Sequence, residues 1–388
     1  MIEHSSLTDG HAIVFAGIPA VNNALYHQIR FTVGDPAALI LLPGGKRFLI
    51  LRDIEMGRAR EYARVDQVAC PADYAPESGL SGDRETATSQ AVAEFLIQSG
   101  IKQVTGDRTV PLIFADEIRS RGIDLVCDLD LGVLQRRQKD EQEIEWLREA
   151  QEVTERAVEY ACRMVASATA DEEGRLHLES DLLTAERVRN AVDIWLLERG
   201  YGGPKCIVAG GKEGADCHNY GAGQLFTEQP VIIDIFPQNR STRYNGDCTR
   251  TVVHGAIPDQ IQKMHAAVVE AKAAAEKICR AGITGEAVHA ETTRLIEQHG
   301  FPMGLPKEGA PADFVSMPHG TGHGIGLEVH EPPLLDKGGP ELLVGDALTI
   351  EPGLYHLTLG GIRVEDMVIV TETGCTNLNS IPEGLTWD

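Results

Sequence analysis

No apolar run in this sequence reaches the roughly 20 residues that a membrane-spanning helix needs, so no membrane partner is expected. The amino terminus, MIEHSSLTDGHAIVF, lacks a basic stretch leading into an apolar one, so no export signal is expected and the chain reads as cytoplasmic. Cysteine is sparse, eight in 388 residues, and no two form a CxxC pair. That spacing argues against a cysteine-built zinc site and, in the cytoplasm, predicts reduced thiols. Aromatics make up only 5% of the chain. Positive charge is also short, 35 Lys and Arg against 58 Asp and Glu, for a formal net charge of −23. A surface of that sign repels phosphate backbones and argues against nucleic acid as a partner.

What is present is ordinary for a globular protein, with 43% hydrophobic residues, and the length predicts two domains. Residues 1–136 alternate strand and helix patterns. Ala37–Leu42 and Arg47–Leu51 are apolar runs joined by Pro-Gly-Gly, which predicts a hairpin. Helical spacing covers Thr86–Gln98 and Pro111–Ser120, with short strands at Gln103–Thr105 and Leu125–Cys127. The polar stretch from Pro71 to Gln90 predicts an exposed loop. This half reads as a small α/β domain without a catalytic constellation.

A boundary is expected near Arg136–Asp140, opening a second domain over residues 137–388. Asp140 and Glu143 suit a capping box. Two helices are predicted, one carrying the stripe from Ile144 to Ala161 and one over Thr184–Glu198, separated by a polar interruption at Ala168–Glu173. Strands follow at Cys206–Ala209, Val231–Phe236 and Gly246–Val253. The pattern then recurs, with helices at Asp259–Arg280 and Thr284–His299 and strands at Ala347–Glu351 and Ile362–Thr371. This helix, helix, strand, strand repeat predicts an α+β fold with a pseudo-twofold. Asp234 and Asp247 sit thirteen residues apart in the first strand pair, and Glu351 and Glu365 fourteen apart in the second. The cross-repeat offsets, 117 and 118, nearly match, so the two pairs would meet at the centre.

A carboxylate inside an apolar strand is costly unless paired, hydrogen-bonded or bound to a cation. Four together repel one another at neutral pH, whereas two divalent ions would neutralise them. A neutral imidazole adds a ligand without charge. It is available in His319–Glu331, HGTGHGIGLEVHE, where glycines disfavour a helix and allow an extended or looped backbone. The set Asp234, Asp247, Glu351, Glu365 and a histidine therefore reads as an oxygen-rich site for two ions about 3.5–4 Å apart that share a hydroxide nucleophile. Mn²⁺ suits it best, with Co²⁺, Zn²⁺ or Fe²⁺ also fitting. Glu331 and Asp366 compete as ligands on composition alone. Strand alternation turns Asp366 away from Glu365 and places Arg363 on the Glu365 face, as a substrate clamp or orienting partner.

HGTGHGIGLEVHE resembles, at each of its thirteen positions, the signature of the Xaa-Pro aminopeptidase and prolidase group of the pita-bread metallopeptidases. IDIFP, YNGDCTRT, TIEPGLY and GIRVEDMVIV resemble the other ligand-bearing segments of that family, in order. The resemblance implies a pita-bread catalytic domain after a creatinase-type N-terminal domain. It implies Asp234, Asp247, His323, Glu351 and Glu365 as ligands of two metal ions, with Asp247 and Glu365 bridging. Glu351 would also take the proton from the attacking water, His330 and His218 would stabilise the tetrahedral intermediate and hold the substrate, and His319 would line the substrate pocket. The implied activity is hydrolysis of the peptide bond before proline in small peptides by an Xaa-Pro aminopeptidase, assembled as a homodimer. A prolidase acting on Xaa-Pro dipeptides is the nearest alternative; a metal-dependent lyase and a binding-only pseudoenzyme are more distant ones. Two departures stand out: IFPQNRSTRYNG is longer than usual, which predicts an enlarged turn, and Asn219 follows His218 where tyrosine is more usual.

Overall fold

The computed structural model describes residues 10–387. The chain separates into two compact units, Met1–Arg136 and Arg137–Asp388. No helix among the described residues is long and apolar enough to cross a membrane.

The first unit is built on a six-stranded sheet of β1 (His11–Gly17), β2 (Ala37–Leu41), β3 (Arg47–Ile50), β4 (Gln67–Ala69), β5 (Gln103–Asp107) and β6 (Asp124–Asp128), in the order β4-β3-β2-β1-β5-β6. Its helices are α1 (Asn23–Ile29), α2 (Met56–Tyr62), α3 (Arg84–Gln98) and α4 (Leu112–Ser120). Strand periodicity explains the continuous apolar run of β2. Ala38 and Ile40 pack with α3 and α4, while Ala37, Leu39 and Leu41 pack with α1 and α2, so both faces are covered. The loop expected over Pro71–Gln90 is shorter than predicted. Asp83 accepts the Thr86 N–H at 2.9 Å and starts α3 at Arg84, a cap hidden by the surrounding polar composition.

A helical turn, α5 (Leu134–Arg137), precedes the long α6 (Glu141–Ala166) of the second unit. Asp140 and Glu143 form the reciprocal capping box, and the buried stripe includes Leu147, Ala150, Ala157, Val158 and Ala161. The polar interruption after α6 is in fact a small sheet of β7 (Thr169–Ala170), β8 (Leu176–Leu178) and β9 (Asp181–Leu182). It forms because Leu176 and Leu183 drop into the core beneath it. Helix α7 (Ala185–Leu197), capped by Thr184, follows. Then come β10 (Tyr201–Gly202), β11 (Ile207–Gly210), β12 (Pro230–Ile235), β13 (Gln238–Asn239) and β14 (Cys248–Val253). The long turn between the two aspartates folds back as β13, which pairs with β10.

In the recurrence, α8 (Asp259–Ile278) and α9 (Gly285–Gln298) precede β15 (Val315–Ser316), β16 (Gly322–Gly324), β17 (Glu331–Leu335), β18 (Ala347–Ile350), β19 (Gly353–His356), β20 (Gly360–Arg363), β21 (Asp366–Val370) and β22 (Cys375–Asn377). The first repeat carries the sheet β11-β12-β14. The second splits its strands between β15-β19-β20 and β17-β16-β18-β21-β22. The single strand predicted over Ile362–Thr371 is therefore two strands in two sheets. The break falls at Val364–Glu365 because the Glu365 N–H donates to the Thr249 carbonyl at 3.1 Å instead of continuing a ladder within its own half. The architecture is a mixed α+β one, with helices backing strands that bring their far faces together.

Candidate metal centre

Each half contributes carboxylates from strand ends. In β12, Val231, Ile233 and Ile235 face the helical core, so Ile232 and Asp234 occupy the opposite face. Asp234 registers with Thr249 across the β12–β14 ladder, and Asp247 lies one residue before β14. The backbone of Asp247 is fixed by Gln151 of α6, whose side chain accepts its N–H at 2.9 Å and donates to its carbonyl at 2.6 Å. In the second half the last registered pair is Ile350 with Asp366, so Glu351 and Glu365 sit just beyond the ladder.

The glycine-rich stretch runs through β16 into β17. Gly322 permits its close approach to β18, since a Cβ there would fall 2.0 Å from the Thr349 carbonyl oxygen. The His323 N–H donates to Thr349 Oγ1 at 3.1 Å. With Nδ1 donating to the Gly324 carbonyl at 3.1 Å, Nε2 keeps its lone pair for the cavity. Burial first, and then His330, push the imidazole down to about 3, so it is neutral at neutral pH.

Asp247, His323 and Glu365 are all buried and offer ligand atoms within 4.8 Å of one another. His323 Nε2 lies 3.3 Å from Glu351 Oε1 and 3.9 Å from Asp247 Oδ2. Asp234 borders the same cavity of about 700 Å³. Its Oδ2 accepts from Arg363 Nη2 at 2.6 Å, while its buried Oδ1 has no hydrogen-bond partner among the described residues. Burial, reinforced by neighbouring carboxylates, pushes Asp247 and Glu365 well above the ordinary range. Glu351 is raised to about 7, again chiefly by burial. A buried orphan oxygen, crowded acids raised by burial and then by mutual repulsion, and a neutral imidazole with a free lone pair make a donor set that fits divalent cations.

Arg363 and His319 are held by a residue that sequence reasoning did not single out. Tyr355 OH accepts from Arg363 Nη1 at 2.8 Å and lies 2.9 Å from His319 Nε2. Its only sequence signal was its place at the end of TIEPGLY. His319 is pushed down to about 4, mainly by burial and then by Arg363. His330 packs edge-on against His323, ring centroids 4.3 Å apart, and His218 lines the mouth of the cavity exposed to solvent. The two competing acids turn elsewhere: Glu331 pairs with buried Lys139 at 2.6 Å, and Asp366 pairs with Arg250 and Lys272.

Comparison with known proteins gives a consistent picture. Residues 145–372 match the family described as Metallopeptidase family M24. The "Probable dipeptidase PepE" of Mycobacterium bovis is 35% identical over 181 residues, 46% of this chain and 45% of that protein. The "Xaa-Pro dipeptidase" of Pyrococcus furiosus is 28% identical over 242 residues, 62% of each. The matches therefore span less than two thirds of these relatives' lengths. The crystal structure of the X-Pro aminopeptidase from Thermotoga maritima superposes with a TM-score of 0.78 at 24% identity, covering 97% of both chains. That likeness establishes the pita-bread fold.

Proposed function

Because this chain belongs to metallopeptidase family M24, we propose that it hydrolyses the peptide bond before proline, with Xaa-Pro dipeptides as its first substrates. The observation that carries this reading is the buried convergence of Asp247, His323 and Glu365, with Glu351 and Asp234 on the same cavity. The relatives named dipeptidases favour the shorter substrate, which reverses the order that motif resemblance alone suggested. An Xaa-Pro aminopeptidase is the second reading, supported by the full-length likeness to an enzyme of that name.

In this reading Asp234, Asp247, His323, Glu351 and Glu365 would hold two divalent cations, with Asp247 and Glu365 as the ligands common to both, Asp234 as a ligand of one, and His323 with Glu351 as ligands of the other. Bound there, the cations supply charge compensation, activation of water and polarisation of the scissile carbonyl. The protein's own groups do the rest. Glu351, on the wall of the same cavity, takes the proton of the attacking water and returns it to the leaving imino nitrogen of proline. His330 and His218, at the cavity mouth, donate to the oxygen that gains charge as the carbonyl becomes tetrahedral. Arg363, anchored on Asp234 and Tyr355, and His319, anchored on Tyr355 and the Gly320 carbonyl, form a fixed polar wall for the substrate. Mn²⁺ as the working ion, a cytoplasmic location and a homodimer belong to the same proposal.

The test is hydrolysis of Gly-Pro, Ala-Pro-Xaa and Ala-Ala-Xaa by chelator-treated protein before and after Mn²⁺ is restored. Mn²⁺-dependent cleavage confined to Gly-Pro supports the dipeptidase, and cleavage of Ala-Pro-Xaa with release of alanine supports the aminopeptidase. Failure on both proline substrates with metal bound would overturn the proposal.

A further inference from the structure

Arg250 takes no part in the chemistry above, yet it is by volume the largest fully buried side chain among the described residues. Its guanidinium passes behind Glu365. Nη1 donates to the Glu365 carbonyl at 2.6 Å and the Thr249 carbonyl at 2.9 Å, and Nη2 donates to Asp366 Oδ1 at 2.7 Å. Nε donates to the Pro382 carbonyl at 2.9 Å. Asp366 also accepts from Lys272 of α8 and from Asn377 Nδ2 at 2.8 Å. Asp366, itself buried, is thus paired with two buried cationic side chains, Arg250 and Lys272.

The residue before Arg250 grips the same glutamate from two further sides. The Thr249 carbonyl accepts the Glu365 N–H at 3.1 Å, and Thr249 Oγ1 donates to Glu365 Oε2 at 2.7 Å. Glu365 is thus held at its N–H, its carbonyl and its carboxylate by two consecutive residues from the other half of the repeat. Asp247 belongs to that same segment, two residues earlier. Burying charges costs several kcal/mol per ion, and ionic networks replaced by apolar side chains often leave stability unchanged or higher. General stability is therefore a weak account of this cluster, and the contact of Nη1 with the Glu365 carbonyl, beside a carboxylate gripped by Thr249, points to a local task.

We propose that Arg250, braced by Asp366 and Lys272, is a positioning residue for the metal centre, fixing Glu365 relative to Asp247 so that the two carboxylates can close on the same cations. This rests on the reading that Glu365 is a metal ligand.

The experiment compares wild-type, Arg250→Lys, Arg250→Met and Glu365→Gln full-length proteins. Each is stripped with chelator, checked for fold by circular dichroism and titrated with Mn²⁺ in a calorimeter. Loss of an outer partner typically weakens metal affinity about 10–100-fold. That loss is expected for Arg250→Met, with partial retention in Arg250→Lys, whose single ammonium cannot serve Asp366 and the Glu365 carbonyl with the same geometry. A purely structural role would lower metal-free thermal stability and leave Mn²⁺ affinity within about twofold of wild type, which would overturn the inference. If Glu365→Gln also binds Mn²⁺ like wild type, the ligand reading itself fails; if only Glu365→Gln loses affinity, the inference fails alone. Should Arg250→Met not fold, Lys272→Met, which keeps the Arg250–Asp366 pair but removes its brace, is read in the same titration. Weakened Mn²⁺ binding supports the inference and unchanged binding overturns it.

Discussion

Nε2 of His323 lies 3.3 Å from Oε1 of Glu351, yet the two are not an ion pair. Burial pushes the imidazole down to about 3 and the carboxyl up to about 7, so at neutral pH an uncharged ring faces a partly protonated acid. Both groups are held in the form that a divalent cation would displace or accept.

Asp247, Glu351 and Glu365 are raised, so their stabilising contribution in the metal-free protein is complete below the ordinary carboxylate value and is lost as pH rises, through about 7 for Glu351. His319, His323 and His330 are lowered, so their contribution is present above the ordinary imidazole value and fades as pH falls. A cation cancels the first effect, because it needs the carboxylates deprotonated and the imidazole neutral. The rise in Tm on adding Mn²⁺ should therefore grow from pH 5.5 to pH 8, measured by thermal unfolding with chelator and with Mn²⁺. An increment independent of pH would contradict the proposed ligand set.

Asp247→Ala and Glu365→Ala should each abolish turnover of Gly-Pro, a fall beyond the roughly 10–100-fold typical of outer partners, since each removes a carboxylate assigned to both ions. Steady-state kinetics at saturating Mn²⁺ checks this, and substantial activity in either variant contradicts the bridging assignment.

Arg363→Lys keeps the positive charge but cannot reach Asp234 and Tyr355 together as the guanidinium does at 2.6 and 2.8 Å. The expected outcome is a fall of about 10–100-fold in kcat/KM that persists at saturating Mn²⁺. Elemental analysis alongside kinetics separates a lost clamp from a lost ion.

Gly322→Ala places a methyl 2.0 Å from the Thr349 carbonyl oxygen, a backbone atom that cannot swing aside. Overpacking of this kind costs about 1–3 kcal/mol, and the shift of β16 would move His323 with it. Urea unfolding should show a lower midpoint, and Mn²⁺ affinity should fall in parallel.

Much of the site was legible because its chemistry is local in sequence. Glycine spacing around three histidines, carboxylates interrupting apolar strands and two nearly equal offsets singled out residues that line one cavity. Helices were legible through apolar spacing and, for α6, the Asp140 capping box; Thr184 and Thr284, expected as first helical residues, are N-caps that accept an N–H three residues on. The strand through Ile362–Thr371 was misjudged because apolar periodicity does not report where a ladder changes sheets. The small β7–β9 sheet was missed because strands of two or three residues carry too few positions for a period to register.

The sequence by itself determined the donor chemistry: which side chains could hold a cation, and that a repeat would carry them in two pairs. Strand alternation already turned Asp366 away from Glu365, but only the tertiary structure decided what holds the two competing acids outside the cavity. Asp366 and Glu331 carry the same carboxyl group as Glu365, and what holds them away from the cavity is the position of Arg250, Lys272 and Lys139, the last two being 94 and 192 residues away along the chain from their partners. Tyr355, Gln151 and Arg250 escaped notice for the same reason. They act through hydrogen bonds to backbone groups and side chains fixed by folding, and such bonds follow distance in space and leave no period in the sequence.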